Sequence, residues 1–244
     1  MISFYTKSAH QNCKEAQFKL GNIYCDNKYV PIDINKAIYY YTKAANQNCI
    51  EAQFNLSIIY LDGKFMKQDI DKSIYYLSLT ADQNLSQAQY ILGCFYVKGM
   101  YVVQDQKKGI KYLLMASKQN HSKAQLSLGF IYIEGKCIKP DIEKLIHYFT
   151  LAANQNLLKA QFALDLLYFD NIFIKWDINK AIYFLELASN QNHCEAQHVP
   201  GIIFYDNKYI KRDIAKSIYY FELAASQNHP KVQFSLGFIY YEGE

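Results

Sequence analysis

The amino-acid sequence predicts an all-α fold: a right-handed α-α superhelix, or solenoid, of stacked helical hairpins with a 36-residue unit. Three observations predict it. The pair Gln-Asn recurs in strict phase, as Gln11-Asn12, Gln47-Asn48, Gln83-Asn84, Gln119-Asn120, Gln155-Asn156, Gln191-Asn192 and Gln227-Asn228, each 36 residues from the last. Apolar residues fall at helical spacing within the unit, so that Ala16, Leu20, Ile23 and Tyr24 share one stripe. Glycine (10 residues) and proline (4) are too scarce for a turn-rich β fold.

Each element of the unit follows from its residues. Ala16, Ala52, Ala88, Ala124, Ala160, Ala196 and Val232 each precede a glutamine and open the stripe of a first helix. That helix is expected to stop at Asn27, Gly63, Gly99, Gly135, Asn171, Asn207 and Gly243, residue types that tolerate a left-handed backbone. A short loop follows with one apolar anchor: Val30, Met66, Val102, Ile138, Ile174 or Ile210. The second helix begins at Asp33, Asp69, Asp105, Asp141, Asp177 or Asp213, where a carboxylate caps free N–H groups and suits the positive end of the helix dipole. Lys36, Ile38, Tyr40 and the small pair Ala44-Ala45 continue it, and Asn48 and its equivalents end it.

One hairpin buries too little apolar surface to fold alone, so neighbouring hairpins must share an interior. Residues 1–244 therefore read as a single solenoid. Residues 1–13 are a partial repeat with a second helix only. Repeats follow at 14–49, 50–85, 86–121, 122–157, 158–193 and 194–229, and 230–244 is a partial repeat with a first helix only. Neither partial repeat carries the polar cap a solenoid needs, which suggests part of a longer array and self-association through uncapped ends.

Ala88, Leu92, Gly93, Tyr96, Gly99, Val102, Asp105 and Lys108 in one copy, with Asp33, Lys36, Ala37, Tyr40, Tyr41, Ala44 and Ala45 in another, resemble the Sel-1-like repeat, a relative of the tetratricopeptide repeat. The resemblance covers essentially the whole chain, and the 36-residue period favours it over arrays of period about 34 or 33. It implies a non-catalytic scaffold or adaptor. Relatives assemble membrane-protein degradation complexes, activate polysaccharide synthases or occur beside kinase domains. A β-lactam-binding activity linked to some bacterial relatives is not implied, because the chain has no S-x-x-K motif. Three departures stand out. Ser57 and Asp165 replace the central glycine, where close packing is expected to loosen, and Pro200 replaces a leucine inside a first helix. Proline there removes a backbone hydrogen bond at a cost of about 3 kcal/mol or more, which predicts a kink.

Composition narrows the function classes. With 51% hydrophobic and 16% aromatic residues the chain can bury a core. A net charge of +4, from 26 basic and 22 acidic residues, is weaker and less clustered than phosphate-backbone binding requires, so no nucleic acid is expected. No apolar run approaches the ~18 residues of a membrane span, and the start Met1-Ile2-Ser3-Phe4 lacks the basic-then-apolar order of a secretory signal. Six cysteines without a C-x-x-C pair read as reduced thiols in a cytosol-like compartment, hence a cytoplasmic location. G-x-S-x-G, H-E-x-x-H, P-loop and G-x-G-x-x-G motifs are absent, and no cofactor or metal is expected. Cys194 and His198 stand at i and i+4 but lack a third ligand.

The candidate partner-binding residues are Phe18, Phe54, Tyr90, Leu126, Phe162 and Phe234, joined by His198, on the inner wall, with Ile58, Phe130, Leu166 and Phe238 one turn later. Such a wall can hold an amphipathic helix or extended segment of a protein or peptide partner, or the same residues can fill the seam between hairpins. Lys67, Lys139, Lys175 and Lys211, with Arg212, form a basic loop edge that suits an acidic partner or simply a solvated rim. The row Gln17, Gln53, Gln89, Gln125, Gln161, Gln197 and Gln233 is expected to satisfy backbone groups of a neighbouring helix rather than a ligand. Two other functions compete with a binding scaffold: a regulatory subunit of an enzyme encoded outside this chain, and, ranked last, an RNA-binding helical array.

Overall fold

The computed structural model describes residues 1–135, 138–169, 177–191, 194–206, 210–227 and 230–241, and these form α-helices joined by short loops, with no strand among them. The chain divides into two compact units, residues 1–121 and 122–244. The first unit contains α1 (Ile2–His10), α2 (Lys14–Cys25), α3 (Ile34–Ala45), α4 (Ile50–Asp62), α5 (Ile70–Asp82), α6 (Ser86–Lys98) and α7 (Gln106–Lys118). The second contains α8 (Ser122–Glu134), α9 (Ile142–Ala153), α10 (Leu158–Phe169), α11 (Ile178–Ser189), α12 (Cys194–Tyr205), α13 (Ile214–Ala225) and α14 (Pro230–Tyr241). Even-numbered helices are the first helices of the repeat and odd-numbered ones the second.

The punctuation acts as the residues dictate. Asp33, Asp69, Asp105, Asp141, Asp177 and Asp213 each accept a hydrogen bond from the backbone N–H three residues on, at 2.9–3.1 Å. The backbone N–H of Asp33 donates in turn to the Tyr24 carbonyl at 2.9 Å, and that of Asp69 to Tyr60 at 3.0 Å, which closes the loop between the two helices of a hairpin. Asn12, Asn48, Asn84, Asn120 and Asn156 all have φ between 59° and 67°, and Gly63, Gly99 and Gly135 have φ between 65° and 67°, so these are true left-handed stops. The first hairpin differs from expectation: α2 ends before Asn27, with Asp26 extended at φ −108°. Asn171, Asn207 and Gly243 lie outside the described residues.

The core runs through the spaces between helices. Leu20, Leu56, Leu92, Leu128 and Leu164 are fully buried, as are most of the alanines that follow each second helix's tyrosine and open each first helix. Most clusters join a second helix to the first helices on both sides. Tyr41, Ala44 and Ala45 of α3, for example, pack with Ala52, Leu56 and Tyr60 of α4 and receive Phe18 and Tyr24 from α2. The loop anchors Val30, Met66, Val102 and Ile138 dock against these clusters. On the outer edge an aromatic pair recurs: Tyr24 stacks on Tyr40 at 5.8 Å and Tyr60 on Tyr76 at 6.1 Å, with Lys36 and Lys72 5.2 and 5.1 Å from the rings of Tyr24 and Tyr60.

The two glycine replacements sit in the least closely packed hairpins, α4–α5 and α10–α11, as expected. A Cβ on Gly21, Gly129 or Gly201 would overlap the ring of Tyr41, Phe149 or Phe221, each twenty residues on. At Ser57 and Asp165 the residue twenty positions on is Leu77 or Leu185, and all four are buried. A leucine opposite does not by itself make room, since a Cβ on Gly93 would overlap Leu113. Pro200 is also buried, and α12 is helical on both sides of it.

Candidate functional site

The glutamine row is the most regular polar feature of both units. Gln17, Gln53, Gln89, Gln161 and Gln197 are buried, and each Nε2 donates to the carbonyl eight residues earlier, at Ala9, Ala45, Ala81, Ala153 or Ser189, at 3.1–3.2 Å. Their Oε1 atoms accept from the Nε2 of the Gln-Asn glutamine thirty residues on: Gln47, Gln83, Gln119, Gln191 and Gln227, at 2.7–2.8 Å. Gln155 binds Gln125 likewise at 2.6 Å. Each amide thus ties the end of one second helix to the end of the next through a buried first helix. These side chains are fully engaged within the protein, which leaves no row of amides for a ligand.

The expected inner-wall residues divide into two rows. Phe18, Phe54 and Leu126 are half-buried and pack against the cluster built by the following helices. Phe18 is 6.0 Å from the Tyr41 ring, Tyr90 stacks on His121 at 4.8 Å, and His198 lies 5.9 Å from Phe221. Phe162 is half-buried and Phe234 is open to solvent. This row therefore contributes mostly to the seam between hairpins. The row one turn later is the exposed one: Ile58 in the first unit, and Phe130, Leu166, Ile202 and Phe238 in the second. Ile202 was not among the expected residues, although its repeat position alone identifies it. In the first unit the same position carries Asn22, whose Oδ1 accepts from the Tyr41 hydroxyl at 2.7 Å, and half-buried Cys94.

Two concavities border these rows. In the first unit a cavity of about 390 Å³ between α2 and α4 is lined by Lys14, Glu15, Phe18, Lys19, Asn48 and Glu51, with Cys49 and Ile50. In the second, Ile202, Tyr205, Phe221, Phe234 and Phe238 line an apolar cavity of about 140 Å³. Lys123 and Lys159 are exposed two turns before Phe130 and Leu166 on the same helix faces. Of the basic loop edge, Lys67, Lys139 and Lys211 are exposed, and Lys175 lies outside the described residues.

Burial raises the pKa of the Cys25 and Cys49 thiols, which keeps them protonated and poorly nucleophilic. Cys49 donates to Glu51 at 3.4 Å and Cys13 to Glu15 at 3.3 Å. Cys13, Cys25, Cys49 and Cys94 are free thiols. The Cys194 side chain lies outside the described residues, so its pairing with His198 has no geometry. No described helix is long and apolar enough to cross a membrane.

Comparison with known proteins adds three findings. The Sel1 repeat family profile matches residues 14–49, 50–85, 86–121, 122–157, 159–193 and 201–229. A protective antigen present in uropathogenic Escherichia coli strains, displaying an SLR fold, superposes with a TM-score of 0.89 at 23% identity over 100% of this chain. This chain spans 52%, about half, of that antigen. A Sel1 repeat protein from Oxalobacter formigenes superposes with a TM-score of 0.76 at 28% identity, over 99% of this chain and 70% of its own. No curated protein matches.

Proposed function

Because this chain belongs to the Sel1 repeat family, whose members are generally protein-interaction scaffolds, we propose that it is a non-catalytic adaptor that holds a segment of a protein partner against its first-helix face. One observation carries the proposal. Phe130, Leu166, Ile202 and Phe238 stand exposed at one repeat position on successive first helices of the second unit. Exposed apolar side chains that recur in line on neighbouring elements mark an interaction surface more often than scattered ones do. Within the second unit, half-buried Leu126 and Phe162 form the floor of the face, and Phe234 extends it outward. In the same unit, exposed Lys139 and Lys211 offer basic loop positions to an acidic stretch of the partner. The free thiols support a reducing, cytoplasmic setting.

The experiment is affinity capture from native lysate with the wild-type chain and with a Phe130→Glu/Leu166→Glu variant. Both residues are exposed, so the variant should keep its helical circular dichroism while losing the specifically captured proteins. An unchanged set of captured proteins removes this face from the function.

A further inference from the structure

The two edges of the first unit carry opposite chemistry. The Gln-Asn turns that end the second helices line one edge, where Gln47 donates to Asn12 at 3.2 Å and Gln119 to Asn84 at 3.1 Å. Every exposed side chain at 46–48, 82–84 and 118–120 is polar, as a solvated edge should be. The helices of a hairpin run antiparallel, so the loops between a first and a second helix line the other edge. There Tyr29, Phe65 and Tyr101 recur at one repeat position, and they are 53%, 48% and 50% exposed. Val103 beside them is 90% exposed. The anchors Val30, Met66 and Val102 already pack these loops onto the core, so the loops do not need the exposed tips to close.

Cations accompany the tips. Lys28 Nζ lies 5.2 Å from the centre of the Tyr29 ring, and Lys64 Nζ 5.1 Å from that of Phe65. Lys28, Lys64, Lys67 and Lys98 are exposed along this edge, against Asp26 and Asp62. The capping carboxylates Asp33 and Asp69 are neutralised by Lys36 and Lys72 at 3.0 and 2.9 Å. At the third loop the pairing changes. Lys108 Nζ donates to the Tyr96 hydroxyl at 2.7 Å, while its backbone N–H serves the Asp105 cap. A shallow hollow of about 610 Å³ opens beside Val103, lined by Tyr96, Gln104, Asp105, Lys107 and Lys108. It offers two ammonium groups and a hydroxyl to an anion such as a phosphate.

Projecting aromatic rings with a lysine at their side suit the membrane–water boundary. The ring enters the apolar layer while the ammonium stays level with the phosphates. A projecting row also enters a soft surface directly, whereas a rigid protein would need a matching pit for each tip. We propose that this loop edge of the first unit docks on an anionic phospholipid membrane. The apolar tips sink into the headgroup–acyl boundary, and Lys28, Lys64 and Lys107 meet lipid phosphates, the last of them at the hollow. The contact is peripheral, in keeping with described helices too short to cross a bilayer. It uses neither Phe130 nor Leu166 and stands or falls separately from the partner-binding face.

The test is co-sedimentation of the full chain with vesicles of phosphatidylcholine alone and of an equal mixture of phosphatidylcholine and phosphatidylserine. Two variants accompany the wild type: Tyr29→Ser/Phe65→Ser/Val103→Ser and Lys28→Gln/Lys64→Gln/Lys107→Gln. All six residues are exposed, so circular dichroism should show wild-type helix content for both. The wild type should bind the mixed vesicles and bind phosphatidylcholine alone at least about tenfold less tightly. The serine variant should lose about tenfold or more on the mixed vesicles, and the glutamine variant roughly a hundredfold at low salt. A wild type that ignores the mixed vesicles, or binds both kinds equally, would overturn the proposal. So would either variant binding as the wild type does. Sedimentation velocity without lipid supplies the remaining arm: self-association of the wild type that the serine variant loses would assign the edge to a second copy and end the membrane reading.

Discussion

Replacing Gly129 with serine places one added side chain against the Phe149 ring, which a Cβ at that position already overlaps. Phe149 is enclosed by Tyr132, Leu145, Ala153, Leu164 and Leu167 and has no free direction in which to move. Overpacking of this kind costs about 1–3 kcal/mol. Exchanging glycine for serine inside a helix returns roughly 0.5 kcal/mol. The net loss expected is about 0.5–2.5 kcal/mol. Phe149→Leu alone leaves a void and costs roughly 1–2 kcal/mol, less than full truncation to alanine would. In the double variant the serine fills the space the ring vacates, as Ser57 does opposite Leu77 with both fully buried. The double variant should therefore be more stable than Gly129→Ser alone, with a favourable coupling of about 1–2 kcal/mol. Urea unfolding followed by circular dichroism measures this at matched slopes. Amide exchange in α8 and α9 checks that the loss is local, since repeat arrays can open in parts. Losses that add to within about 0.5 kcal/mol would refute the idea that the facing side chain decides which residue is tolerated at the glycine position.

The glutamine row makes a second, paired prediction. Gln89→Leu removes two donated bonds, to the Ala81 carbonyl and Asn84 Oδ1, and one accepted from Gln119. The loss should be about 2–3 kcal/mol, because the Ala81 carbonyl is left buried without that donor. Gln233 occupies the same repeat position but is exposed, so Gln233→Leu should change stability by less than about 0.5 kcal/mol. Equal losses in urea unfolding would contradict the assignment. A third prediction concerns acid. Asp33, Asp69 and Asp141 are held below the usual carboxylate range, chiefly by the Lys36 backbone N–H, the Lys72 side chain and the Lys144 backbone N–H respectively. A folded pKa below the unfolded one means that the stabilisation is fully present above the unfolded value, near about 3.9, and is lost as pH falls through the lower folded value. Asp69→Asn keeps a capping oxygen but removes the titration, so its urea midpoint should fall less steeply between about pH 5 and pH 2 than that of the wild type. A decline as steep as the wild type's would show that this cap does not contribute to acid sensitivity.

Much of the architecture was legible because its signals are local and repeated. An aspartate that caps, a glycine or asparagine that accepts a left-handed φ, and an alanine–leucine stripe act through neighbours within a few residues. In-phase copies turn weak preferences into an unambiguous period. The pairing of glutamines with backbone carbonyls was also readable, since a polar residue recurring on an apolar stripe must find buried partners.

The division between seam and surface was not legible in the same way. Phe18 and Ile58 both stand on the inner side of a first helix, and helical periodicity assigns them to one face. Which of them is covered depends on how far the next hairpin's aromatic ring reaches, a distance between helices that no local pattern encodes. The same holds for Ser57 and Asp165. Each reads as a packing fault, and only the structure shows that Leu77 and Leu185 stand opposite and that all four side chains are still buried. Sequence by itself determined the period, the element order and the caps, because these are properties of a short stretch of chain. Tertiary structure alone decided which apolar side chains close the core and which, from Phe4 to Phe238, remain open, because burial belongs to pairs of helices and not to either one.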